Sequence, residues 1–170
     1  MRFIKTLQSV LEHLNDAHIS TDVLDYLVNA ETRRELPGAL EHSPEQLFVR
    51  HEDDTVELAL YIDPGLVSDL ETDSPYKRLH PGNLEKFCVV LEGVSHFVFL
   101  TWCAERERAV SCLEMEIQAE VDKFVCAWLL LGEQGQPYAA TAQALSRQLF
   151  DSYELLEEVD RSRYVTAATV

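Results

Sequence analysis

Basic residues are scarce in this sequence. It has 14 lysines and arginines against 30 aspartates and glutamates, which gives a formal net charge of −16. A surface this negative repels the phosphates of nucleic acids and of anionic membranes, so we expect neither as a partner. The same charge suits the binding of cations or of a basic protein. It also suits an acidic DNA mimic, although the acids here are dispersed along the chain.

Several motifs of catalysis and cofactor binding are missing as well. The sequence has no Gly-rich phosphate loop, no Gly-x-Ser-x-Gly, no His-Glu-x-x-His and no Cys-x-x-Cys. No secretory signal or internal repeat is visible, and the one long apolar run carries Glu92 and His96, which do not suit a bilayer. We therefore expect a cytoplasmic protein and favour a non-catalytic function, with an enzyme left open.

The length of 170 residues and a hydrophobic content of 46% indicate a single domain spanning 1–170. Two strongly apolar segments, 84–104 and 112–131, are each long enough for a helix. The short link between them predicts an antiparallel helical hairpin, which we expect to form the core of the fold. Ser111 and Glu114 match a capping box at the start of the second helix.

The remaining segments predict a mixed fold around this hairpin. Alternating apolar residues over 46–62 predict one β-hairpin, which must pack on the helices because two strands alone are marginally stable. Apolar residues at helical spacing predict further helices over 3–17 and about 20–35. We expect 71–83 to be a flexible loop and 164–170 a weakly ordered tail. The predicted fold class is α+β, mostly helical.

The second helix of the hairpin carries one main apolar stripe. Its members repeat at helical spacing and are Leu113, Ile117, Val121, Phe124 and Trp128. Glu120 lies at the edge of this stripe. The sequence does not decide which flank of this helix meets the first helix of the hairpin.

The hairpin also predicts a cluster of acids around an imidazole. If the chain reverses near Arg108, His96 lies level with Glu120, to within about one helical turn. Residues with a carboxylate or an imidazole that can converge there are Glu92, His96, Glu116 and Glu120, with His80 and Glu85 as additional candidates nearer the start of the first helix.

Three interpretations of this cluster are open. The first is structural, because a buried imidazole needs a partner and a carboxylate can supply it. The second is a divalent metal site, since carboxylates and an imidazole on facing helices are ligands for iron, manganese or zinc. The best-known site of this kind uses Glu and His three apart on two helices, whereas Glu92 and His96 are four apart and occur once. The third is acid–base catalysis by His96.

Four cysteines lie in the predicted hairpin. Cys103 is nearly level with Cys112, and Cys88 with Cys126, so two disulfides are geometrically open in an oxidising compartment. We favour free thiols that are buried as small hydrophobic side chains, as in other cytoplasmic proteins.

The function that we favour from the sequence alone is a non-catalytic interaction module. Segment 84–104 is apolar on two sides, and a small domain has few helices with which to cover both. A protein partner, or self-association as a homodimer through this helix or through the edge of the β-hairpin, is therefore expected. The alternatives are a metal-binding helical protein, with or without enzymatic activity, and a DNA mimic.

Overall fold

A computed structural model describes residues 1–52, 55–147 and 149. The helices in these residues are α1 (Arg2–Leu14), α2 (Ala30–Glu35), α3 (Pro64–Thr72), α4 (Pro81–Ala104), α5 (Cys112–Glu133) and α6 (Tyr138–Ser146). The strands are β1 (Leu27–Val28), β2 (Glu45–Glu52) and β3 (Thr55–Ile62). A small three-stranded sheet packs against the helices. The predicted α+β, mostly helical fold class is confirmed.

Helix α4 is at the centre of the fold. α1, α3, α5 and the sheet all pack against it, and its core side chains are Phe87, Val90, Leu91, Val94, Phe97 and Val98. By length and composition alone, α4 could cross a membrane, but most of it is buried inside the protein, as is usual for a core helix. The two apolar faces that suggested self-association are thus covered within the chain. Self-association itself stays a prediction.

The two long helices form the predicted hairpin, and both begin with a capping box. The Ser111 hydroxyl accepts a hydrogen bond from the Glu114 backbone N–H at 3.2 Å, and the Glu114 carboxylate accepts one from the Ser111 N–H at 2.9 Å. This confirms the predicted start of α5. At the start of α4, the imidazole of His80 accepts from the Gly82 N–H at 3.1 Å. His80 is therefore committed to a helix cap.

The sheet contains the predicted β-hairpin and one strand that was not predicted. β2 and β3 pair in antiparallel fashion, and β1 pairs with β3 in parallel, with Val28 opposite Tyr61. The predicted helix over 20–35 is wrong, since this segment forms a 3-10 turn (Val23–Tyr26), then β1 and then α2. Pairing with a distant strand takes Leu27 and Val28 out of the helix, and the Asn29 side chain caps a new one.

The segment predicted as a flexible loop, 71–83, overlaps the end of α3 and the start of α4. Its middle is held by Gln134, which donates to the Pro75 carbonyl at 2.8 Å and accepts from the Leu79 N–H at 2.7 Å. Flexibility of this loop stays a prediction. The predicted tail, 164–170, lies outside the described residues.

Candidate metal centre

The contact between α4 and α5 uses a face of α5 that the apolar stripe did not indicate. The residues that α5 buries are small or polar, namely Ala119, Asp122, Lys123, Cys126 and Ala127. Leu113, Ile117 and Val121, from the predicted stripe, are exposed, whereas its other members, Phe124 and Trp128, are partly buried against the core. Because α4 contributes bulky side chains, small side chains on the facing helix fill the space between the two without overpacking. The acidic flank of α5 is thereby placed beside the imidazole of α4.

Glu92, His96 and Glu116 meet at the edge of the α4–α5 contact. Each offers one ligand atom, and the three atoms lie within 4.8 Å of one another. His96 is 6% exposed, and its Nε2 is 3.5 Å from Oε1 of Glu116. The two glutamates are only partly buried, so solvent reaches the group from the carboxylate side. Three of the four principal residues predicted from the sequence are thus brought together.

Glu120, the fourth predicted residue, is engaged by Lys123. The Lys123 ammonium lies 2.5 Å from Oε1 of Glu120 and 3.0 Å from Oε2 of Glu92. The residue that pairs with His96 is Glu116, one turn closer to the connection between the helices than the predicted Glu120. The offset between Glu116 and Glu120 is one helical turn, which is the tolerance that the level match carried.

Lys123 was not predicted as part of the site. Burial opposes the charge of its side chain, but Glu92 and Glu120 outweigh this and raise the pKa of Lys123 above its ordinary value. The ammonium therefore stays protonated at neutral pH and offsets part of the negative charge of the cluster. The sequence does distinguish this residue, because Lys123 is the one basic residue among the acids of α5.

A further carboxylate near His96, that of Asp122, was not predicted from the sequence. Ser95 donates to its Oδ2 at 2.6 Å, and Asn15 and Gln118 donate to its Oδ1 at 3.0 and 2.9 Å. Burial raises the pKa of Asp122, while these hydrogen bonds and the nearby His96 act to lower it. The network ties the end of α1 to both helices of the site.

The two additional candidates lie elsewhere. His80 is at the start of α4, where its Nε2 is 3.0 Å from Oδ2 of Asp73. Glu85 is exposed. From His80 to Glu92 the helix advances about 18 Å, which is too far for a shared metal ion. Neither residue belongs to the group formed by Glu92, His96 and Glu116.

All four cysteines are free thiols in this structure. Burial raises the pKa of Cys88 and of Cys126 to about 12, and it also raises the pKa of Cys112. The Cys103 sulfur accepts a hydrogen bond from the Arg108 guanidinium at 3.0 Å. The first three thiols are thus held in the neutral form, which is a poor metal ligand and a poor nucleophile.

One imidazole nitrogen and two carboxylate oxygens form a donor set that suits first-row divalent metals better than calcium or magnesium. Three protein ligands also leave coordination positions for water, as in catalytic rather than structural zinc sites. Comparisons of the chain with protein-family models, with curated proteins and with solved structures found no match.

Proposed function

We propose that this protein binds a divalent transition-metal ion through Glu92, His96 and Glu116. The observation that supports the proposal is the approach of three ligand atoms, from two facing helices, to within 4.8 Å. Metal–ligand bonds of about 2.0–2.2 Å keep neighbouring donors about 3.0–3.6 Å apart. The distance of 3.5 Å between His96 Nε2 and Glu116 Oε1 already lies in this range.

The charges around the group favour a cation. Two carboxylates, those of Glu92 and Glu120, contact the ammonium of Lys123, and two more, those of Glu116 and Asp122, lie near His96. Negative charge in excess is costly in a partly buried place unless a cation offsets it. A divalent ion offsets more of this charge than a proton on His96 does. This supports a metal over a purely structural histidine–carboxylate pair.

The test is metal binding by the purified full-length chain after treatment with a chelator. Calorimetric titrations with zinc, manganese and, without oxygen, ferrous iron are expected to show about one ion per chain for at least one of these metals. His96→Ala and Glu116→Gln each remove one ligand, and we expect each to weaken the affinity about tenfold or more.

Glu85→Gln is the matched control, because it removes one carboxylate from the exposed surface of the same helix without touching the three ligands. We expect its affinity to stay close to that of the wild type. The proposal fails if the wild type binds none of the three metals, or if His96→Ala binds as tightly as Glu85→Gln. A gain in thermal stability with metal gives a second readout, since at a concentration of 100 Kd the linkage amounts to about 2.7 kcal/mol.

Binding of a protein partner is a second candidate function. It is favoured by an independent observation, the exposed apolar residues of α5. The acidic DNA mimic requires carboxylates that are spaced like phosphates on one surface, and it stays an untested alternative.

A further inference from the structure

Three large apolar side chains form a row on the outer face of α5. Leu113, Ile117 and Val121 are 68%, 55% and 49% exposed. Each is four residues from the next, so they lie one above another on the same face of the helix. The row, named here the α5 row, is about 12 Å long.

Exposed apolar residues that are scattered singly are common on protein surfaces, whereas contiguous apolar patches are typical of interaction sites. The fold itself does not need this row, since α5 packs against α4 through its opposite face. α6 follows α5 after a turn at 134–137, and its nine residues extend back for about 14 Å. That length reaches the C-terminal half of α5, and among the residues that the structure describes none covers the α5 row.

The edges of the α5 row are acidic. Glu114 follows Leu113 in the sequence, Glu116 precedes Ile117 and Glu120 precedes Val121, so an acid adjoins each member. Among the residues of α5, Lys123 alone is basic, and its charge is taken up by Glu92 and Glu120.

This distribution of charge disfavours a second copy of the chain as the partner and favours a basic one. A second copy of the chain would bring a net charge of −16 to another of −16, and its own α5 would set acids against acids. Like charges along a helix–helix contact destabilise it. A helix with an apolar stripe and lysines or arginines on its flanks can contact the apolar row and pair with the acidic residues at its edges.

We infer that the α5 row is a docking surface for a basic amphipathic helix of another protein. The apolar side chains of the partner helix cover Leu113, Ile117 and Val121, and its basic residues pair with the neighbouring glutamates. The inference does not require the metal, because Leu113, Ile117 and Val121 are not ligands, and Glu114 and Glu120 adjoin the row even where Glu116 binds an ion.

The probe is a synthetic 18-residue helix with leucines at positions i, i+3, i+4 and i+7 and lysines on both flanks. A scrambled peptide of the same composition controls for plain attraction between opposite charges. Fluorescence anisotropy at 0.15 M salt is expected to show binding of the patterned peptide, with the scrambled peptide at least about tenfold weaker, since it cannot present one apolar face.

Ile117→Asn removes the middle of the row, and we expect it to weaken binding of the patterned peptide about tenfold. Leu129→Asn is the matched control, because Leu129 is 38% exposed on the same helix but is not part of the row. We expect it to bind like the wild type. Circular dichroism establishes that both variants keep the fold.

The inference is overturned if the scrambled peptide binds equally well, or if Ile117→Asn and Leu129→Asn behave alike. Light scattering of the wild type and of Ile117→Asn tests whether the chain associates with itself through the row. A dimer that Ile117→Asn converts to a monomer would make the row a self-association surface, and the basic partner would then be wrong.

Discussion

Asp122 is 1% exposed, and its carboxylate accepts hydrogen bonds from Ser95, Asn15 and Gln118. Hydrogen bonds to a charged group stabilise more than neutral ones, and buried donors left without an acceptor are costly. The network joins residues from α1, α4 and α5, which lie far apart in the sequence. Asp122 therefore stabilises the contact between these helices rather than its own helix alone.

Asp122→Ala is expected to lower the free energy of unfolding by about 3 kcal/mol, because three donors lose their acceptor and a small cavity remains. Asp25→Ala is the control, since Asp25 is exposed and we expect a change within about 0.5 kcal/mol. Urea denaturation followed by circular dichroism measures both. Equal stability of the two variants would contradict the structural role of the network.

The thiols allow a test of burial. With a pKa of about 12, Cys88 and Cys126 are ionised to roughly one part in ten thousand at pH 8, against about a quarter for an ordinary thiol. We expect iodoacetamide to modify both very slowly in the native protein and quickly in guanidinium. Cys88 and Cys112 are both partly buried, but burial raises the pKa of Cys112 less than that of Cys88, so Cys112 should react first. Rapid native modification of Cys126, seen by peptide mass mapping, would show that this residue is accessible.

The residues of the site that share one face of a helix could be predicted from helical geometry. Glu92 and His96 were found because both lie on one stripe of one helix, and Glu116 because it lies a turn from Glu120. Asp122 was missed, since an aspartate in a helix is usually exposed and no local pattern marks a buried one. Its burial depends on donors that other elements supply.

At the scale of secondary-structure elements, local sequence patterns predicted the features that depend on neighbouring residues. The capping box at Ser111 and the alternation in 46–62 fix the start of α5 and the β-hairpin. The helix over 20–35 failed because strand pairing with β3 outweighed local helical spacing. A contact made 33 residues further along the chain, such as Leu27 with Leu60, leaves no trace in a short window of sequence.

For a related reason, the sequence did not predict which face of α5 is buried. Its strongest apolar stripe suggested the buried face, whereas the structure buries small residues such as Ala119 and Ala127 and exposes Ile117. The face that packs depends on the bulk of the facing helix, not on α5 alone. An apolar stripe predicts that a surface will be covered, but it does not state whether by the same chain or by another.

At the scale of the whole molecule, the sheet is joined to the helices at a close approach beside Gly93 of α4. A Cβ atom at this position would lie 3.2 Å from Oε2 of Glu45 on β2 and 3.4 Å from Cδ1 of Leu60 on β3. The absence of a side chain at Gly93 therefore allows the sheet to lie directly on the central helix.

Gly93→Val is expected to lower the free energy of unfolding by about 2 kcal/mol, because the added isopropyl group overpacks this contact. Gly93→Ala is the matched control, since its single methyl group needs only a small shift of Glu45, and alanine favours a helix by up to about 1 kcal/mol over glycine. We expect its stability to lie within about 1 kcal/mol of the wild type. Thermal and urea unfolding compare the two, and an unchanged Gly93→Val protein would mean that the sheet and α4 are not tightly packed.

The central position of α4 has a consequence for synthesis. The ribosome completes α4 before it makes 105–133, the segment that supplies α5 and covers one side of that helix. At about 5–20 residues per second, this side of a long apolar helix stays uncovered for a few seconds. In that interval the apolar side of α4 is open to chaperones, and the arrival of α5 covers it.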